Sequence, residues 1–107
     1  MKVSVILPAY QEADNLKNIL PRIRKVMERL KENYEILVID TVNPMDDTFS
    51  ICKKNGAVYV SRKGGNSYGD AVRTGIAKAQ GEYIVMMDAD GSHNPEAILR
   101  FYREMQG

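Results

Sequence analysis

The sequence holds one cysteine, Cys52, no tryptophan and two phenylalanines in 107 residues. A single thiol excludes an internal disulfide and fits a reducing compartment. Cys52 falls in an expected helix beside Phe49 and Ile51 and reads as a small core residue rather than a nucleophile. No run approaches the roughly 18 apolar residues that span a bilayer. Met1-Lys2-Val3-Ser4-Val5 enters a strand at once, so no signal peptide is expected. The formal charge is only +1, which removes the electrostatic reason to expect nucleic acid as a partner. Repeats, low-complexity tracts and linkers are also missing, so residues 1–107 read as one domain, expected to be cytoplasmic.

What is present is an alternation. Val3 to Leu7 reads as a strand closed by Pro8, and Glu35 to Asp40 contains the apolar run Ile36-Leu37-Val38-Ile39 of a strand covered on both faces. Ala57 to Val60 and Tyr83 to Met87 are two further strands. Between them, Leu16, Ile19, Leu20, Ile23, Val26, Met27 and Leu30 recur at helical steps, with Pro21 expected to kink or divide that helix. A short helix is expected from Asp47 to Lys54, with Asp46 and Asp47 as capping residues. Another follows on the stripe Tyr68, Ala71, Val72, Gly75, Ile76 and Ala79, terminated by Gly81. Asn94-Pro95-Glu96 reads as a cap and first turn opening a last helix to about Met105. The fold class is α/β, with a mostly parallel sheet.

The chemistry concentrates in Asp88-Ala89-Asp90, directly after an apolar strand. Ligands bind at the carboxyl ends of strands in open α/β sheets. Two carboxylates one residue apart repel unless a cation lies between them, and their hard oxygens suit Mg²⁺ or Mn²⁺. The alternative is a solvated turn, since Asp90-Gly91 and Asn94-Pro95 follow. An EF-hand fails, because its glycine position is His93 and its twelfth position Leu99. His93, the only histidine, reads as exposed or capping before it reads as a ligand.

Three other loops leave strand ends. In Pro8-Ala9-Tyr10-Gln11-Glu12, the tyrosine can border a flat base and Glu12 can accept from base or ribose donors, or simply complement a helix dipole. Asp40 ends the second strand, a common place to hold a ribose hydroxyl. Arg62-Lys63-Gly64-Gly65 offers charge and close backbone approach to a diphosphate, but its spacing matches neither a dinucleotide fingerprint nor a P-loop.

Taken together, Val5 to Glu12, Asp40 after its strand, the glycine-bearing loop with Ala79-Gln80-Gly81, and Met87-Asp-Ala-Asp-Gly-Ser-His93 resemble the family 2 glycosyltransferases of the GT-A fold. The resemblance is nearest the polyprenyl (dolichol) phosphate mannose synthase branch and covers essentially the whole chain. It implies a donor site for a GDP- or UDP-linked sugar at Pro8, Ala9, Tyr10, Glu12, Ile39, Asp40, Thr41, Lys63, Asp88 and Ala89. It implies Mg²⁺ or Mn²⁺ on Asp88, Asp90 and Ser92, and polyprenyl phosphate as acceptor. It supplies no catalytic base. The family usually ends its second strand in two aspartates where this chain has Asp40-Thr41, with an apparent one-residue insertion near Met45, which leaves the base open between guanine and uracil. Family members also run on past the metal motif into an acceptor segment. The chain is therefore expected to be a truncated form or to associate as a homo-oligomer, and the lipid acceptor implies the cytoplasmic face of a membrane. A metal-dependent nucleotidyltransferase and a non-catalytic nucleotide-binding or assembly module are the alternatives.

Overall fold

The computed structural model describes residues 1–106 and alternates strand with helix throughout. Its elements are β1 (Val3–Pro8), α1 (Ala13–Leu30), β2 (Tyr34–Asp40), α2 (Thr48–Lys54), β3 (Val58–Ser61), α3 (Tyr68–Lys78), β4 (Tyr83–Met86) and α4 (Ala97–Gln106). The four strands form one parallel sheet in the order β3-β2-β1-β4. Val5 stands opposite Ile36 on one side and Val85 on the other. The order therefore reverses at β1, whose neighbours are the second and fourth strands.

Period-two alternation divides the apolar residues between two faces. Val3, Val5, Leu7, Ile36, Val38 and Val85 pack with the buried stripe of α1, with Ile51 and Cys52 of α2, and with Ile98, Leu99 and Tyr102 of α4. Ile6, Leu37 and Ile39 point the other way, against Ala71 of α3. All six residues of β1 are buried, which explains why its sequence is nearly continuous in apolar residues. Each such aliphatic side chain contributes about 1.5–3 kcal/mol on full burial.

The amino end of the sheet is tied by polar groups. Ser4, fully buried, donates from Oγ to Glu35 Oε2 at 2.6 Å and accepts from Gly81 N at 2.8 Å. Glu35 Oε2 also accepts from Gln80 N at 2.7 Å. Every member of this network has a partner, so its burial is not penalised as an unpaired polar group would be.

Several expectations change. Pro21 does not divide α1, which runs unbroken from Ala13 to Leu30. Pro21 lies on the solvent face, where the Lys17 carbonyl it frees can bond water. Gly81 does not terminate α3. That helix ends at Lys78, Ala79 turns extended at φ −64° and ψ 136°, and Gly81 is required for its approach to Ser4. The α3 stripe is also displaced: Ala71, Thr74 and Gly75 are its buried residues, whereas Tyr68 and Ile76 are exposed. They fit the helical periodicity, but α3 packs mainly over β1 and β2 and leaves its outer side to solvent. Asp47 makes no capping hydrogen bond. Asp46 does the capping instead, accepting at Oδ1 from Thr48 N and Oγ1 and at Oδ2 from Ala13 N, which joins the starts of α2 and α1. In α4, Ile98, Leu99 and Tyr102 are buried while Phe101 and Met105 stay exposed.

Candidate functional site

A crevice is expected where strand order reverses, beyond the carboxyl ends of β1 and β4. An open cleft of about 240 Å³ lies there, lined by Pro8, Tyr10, Glu12, Arg62, Asn66, Tyr68, Asp88, Ala89 and Asp90. Three chain segments converge. The β1–α1 loop supplies Pro8, Tyr10 and Glu12, and the β3–α3 loop supplies Arg62 and Asn66. The segment after β4 supplies the two carboxylates.

The metal-motif segment is ordered by short-range hydrogen bonds. Ser92 N donates to Asp90 Oδ1 at 2.9 Å, and hydrogen bonds from the Ser92 side chain and backbone hold the Asp90 carboxyl below the ordinary carboxylate range. Asp90 is therefore ionised at neutral pH and exposed. His93 folds back onto Asp88, accepting from its backbone N–H at Nδ1 (3.3 Å) with Nε2 3.5 Å from Oδ2. Ser92 and His93 border a separate, mostly apolar groove of about 310 Å³ along β4 and α4, with Val85, Met87, Ile98 and Phe101. Among the described residues no three His, Cys, Asp or Glu side chains gather as a metal cage. Two adjacent carboxylates without a third ligand fit a hard cation that shares its shell with water and phosphate.

Arg62, read from the sequence only as charge offered to a diphosphate, organises the cleft. It is 5% exposed and donates from Nη1 to the Asn66 and Ser67 carbonyls at 2.8 and 3.1 Å, and from Nη2 to the Ala9 carbonyl. Its Nε is buried without a partner among the described residues. Burial lowers its pKa from the ordinary value, with Asp40 and Asp70 opposing. The guanidinium carbon stands 5.9 Å from the Tyr10 ring centroid, a cation–π distance.

Asp40 is deeply buried, ending β2. Its Oδ2 accepts from Tyr59 Oη at 2.7 Å, while Oδ1 is buried and unpartnered among the described residues. Burial, then the hydrogen bond to Asp40, pushes the Tyr59 hydroxyl up to about 12. Asp40, Ile39 and Thr41 do not line the cleft. Thr41 is buried and donates to the Asn43 carbonyl at 2.7 Å. The β2–α2 loop meets the cleft lining at Asn66 Oδ1, which accepts from Val42 N at 2.7 Å. Lys63 also lies apart: its backbone N–H donates to Thr74 Oγ1, and its side chain borders another groove. The glycines beside it make room for the Asp70 carboxylate, since a Cβ on Gly65 would stand 2.9 Å from Oδ2. Tyr68, the first residue of the expected α3 stripe, is exposed and lines the cleft.

Known proteins resemble this chain over most of its length. A dolichol-phosphate mannosyltransferase of Pyrococcus furiosus is 38% identical over 102 residues, 92% of this chain and 28% of that protein. An undecaprenyl-phosphate 4-deoxy-4-formamido-L-arabinose transferase of Aeromonas hydrophila is 32% identical over 98% of this chain and 34% of that protein. The chain thus spans about a third of these relatives. The crystal structure of Mycobacterium tuberculosis glucosyl-3-phosphoglycerate synthase with Mn²⁺, UDP and glucosyl-3-phosphoglycerate superposes with a TM-score of 0.80. That match has 25% identity and covers 97% of this chain and 39% of that one. The parallel sheet and its flanking helices are the GT-A architecture of such neighbours. Residues 4–107 match the family model described as glycosyl transferase family 2, and the chain belongs to that family.

Proposed function

We propose that this chain forms the donor-binding part of a glycosyltransferase that takes a hexose from a GDP- or UDP-linked sugar to a polyprenyl phosphate. The observation that carries the reading is the cleft itself. Pro8, Tyr10 and Glu12 share it with Asp88, Ala89 and Asp90 at the strand-order reversal. In this reading Tyr10, with Arg62 behind it, borders the base, and Glu12 accepts from base or ribose donors.

Asp88 and Asp90, with Ser92 beside them, would hold Mg²⁺ or Mn²⁺. When bound, the cation neutralises the diphosphate that leaves with the nucleoside. The chain's own contribution is positioning: Arg62 fixes both loops that flank the cleft, so the donor meets a preformed surface. Support for the acceptor class comes from the named relatives, a dolichol-phosphate and an undecaprenyl-phosphate sugar transferase, and support for the donor class from the neighbour crystallised with Mn²⁺ and UDP. The acceptor places the working enzyme at a membrane face, although no helix among the described residues is long and apolar enough to cross one. The homo-oligomer expected from the sequence has a candidate surface at β4, where Ile84 is exposed on an edge strand.

Calorimetry with GDP and UDP, in Mn²⁺ and then in chelator, tests the reading. Metal-dependent binding of one nucleotide, lost in Asp90→Ala with the fold intact, is expected. Binding of neither nucleotide sinks the donor site. Pyrophosphate release in place of nucleoside diphosphate would identify a nucleotidyltransferase instead.

A further inference from the structure

The formal charge of +1 conceals a segregation. Residues 48–81 carry six cations, Lys53, Lys54, Arg62, Lys63, Arg73 and Lys78, against one acid, Asp70. The remainder of the chain is net acidic. Arg62 is used inside the cleft. Lys63, Arg73 and Lys78 converge instead on an open groove of about 340 Å³ along α3, with Thr74 and Ala77 between them.

The single acid does not neutralise this groove. Asp70 closes the α3 capping box with Ser67 and pairs with Arg73 at 2.6 Å. Its side chain is 14% exposed, whereas that of Arg73 is 72% exposed. Lys63 and Lys78 have no ion pair among the described residues. Apolar groups stand beside the charge. Ile76, three residues after Arg73 and therefore its neighbour on the helix surface, is 51% exposed, and Tyr68 opens the helix exposed at the cleft.

The helix richest in cations, α1, lacks this combination. It pairs Lys17, Arg22 and Arg24 with Asp14, Glu96 and Glu28, and no large apolar side chain on it is exposed. Clustered cations flanked by exposed aliphatic and aromatic side chains complement a negatively charged bilayer surface, on which the cations meet phosphates and the apolar groups enter the interface.

We propose that the α3 flank docks on an anionic membrane surface, with Lys63, Arg73 and Lys78 over lipid phosphates and Ile76 at the headgroup boundary. This rests on the lipid-phosphate acceptor of the proposed function. Because α3 begins at Tyr68 in the cleft wall, docking brings the cleft mouth to the surface from which a lipid phosphate is presented.

Sedimentation of the 107-residue chain with vesicles tests this. Vesicles of phosphatidylcholine alone are compared with vesicles also containing phosphatidylglycerol, and circular dichroism checks each variant's fold. Binding to the mixed vesicles alone, weakened by salt, is expected. Each cation near such a surface is worth about fivefold in partition, so Lys78→Glu lowers it roughly ten- to thirtyfold. Ile76→Asp also weakens it, whereas Lys25→Glu with Arg29→Glu on α1 changes it by less than about threefold. Absence of vesicle binding, equal loss in the α1 variant, or salt-sensitive binding to duplex RNA without vesicle binding would overturn the proposal. Calorimetry with GDP and UDP on Lys78→Glu separates the two readings. Nucleotide binding with no vesicle binding overturns docking alone, and vesicle binding with no nucleotide binding overturns the donor site alone.

Discussion

Arg62 Nη2 donates a buried hydrogen bond to the carbonyl of Ala9, while Nη1 of the same guanidinium serves the Asn66 and Ser67 carbonyls. One side chain thus fastens the β1–α1 loop to the β3–α3 loop across the base of the cleft. Arg62→Ala leaves the buried Ala9 carbonyl without its charged donor, removes the part-buried bonds to the Asn66 and Ser67 carbonyls, and should cost about 2–4 kcal/mol in urea denaturation. Arg62→Lys keeps the charge, but an ammonium cannot reproduce the planar fork, so it recovers only part of the loss. Nucleotide affinity should fall about tenfold in both variants. Unchanged stability in Arg62→Ala would remove Arg62 from this role.

Two glycines test how closely the sheet is covered. In an open helix interior Gly→Ala stabilises by roughly 1 kcal/mol. At Gly75 the added Cβ would stand 2.6 Å from Ile6 Cγ2, so overpacking should reverse that sign and cost about 1–3 kcal/mol net. Ile6→Ala in the same chain should cost less than additivity requires, because it clears the contact. Gly81→Ala is the more severe change. Its Cβ would lie 2.7 Å from Ser4 N and 2.8 Å from the Val3 carbonyl carbon, backbone atoms that cannot rotate away. Thermal melting of both variants checks the order, and Gly81→Ala should melt lower.

Much of this molecule is readable in its sequence because local and global signals agree. The apolar run Ile36-Leu37-Val38-Ile39 is a strand buried on both faces, and Asp88-Ala89-Asp90 does leave a strand at the reversal point. The failures share a cause: each depends on which distant segment packs alongside. Arg62 reads as one more base beside a glycine loop until the Ala9 carbonyl is placed against it. Asp46 rather than Asp47 caps α2 because it also serves Ala13, 33 residues away. Tyr68 and Ile76 fit a helical stripe, yet both are exposed, because α3 covers β1 and β2 with Ala71, Thr74 and Gly75 and turns its other side to solvent. Lys63 sits next to Arg62 in sequence and opens onto a different groove.

Asp90 offers a direct test of the metal motif. Ser92 holds its carboxyl below the ordinary value of 3.8, so the anion is available for a cation at any pH near neutrality. Mn²⁺-dependent nucleotide binding should therefore be flat from neutral pH down to about pH 5 as far as Asp90 is concerned. Asp90→Asn should lower the affinity at least about tenfold and bring it to the level seen with chelator. A variant that binds normally in Mn²⁺ would place the cation elsewhere.

Stability should fall on the alkaline side through two groups near Asp40. Cys52 is fully buried, and burial first, then Asp40 and Asp46, pushes its thiol from 9.0 up to about 12. Tyr59 is raised from 10.0 to about 12 by burial and by its hydrogen bond to Asp40. Both are raised in the fold, so the unfolded chain releases these protons first. Their contribution is fully present below the unfolded values of 9.0 and 10.0 and is lost as pH rises toward about 12. Urea unfolding across that window should show declining stability, with a shallower slope in Cys52→Ala and in Tyr59→Phe than in the unaltered chain. The slope, not the absolute stability, is the readout, because Cys52→Ala also leaves a small cavity. Thiol reagents should label Cys52 only after unfolding, and rapid labelling of the native chain would contradict the burial that raises both groups.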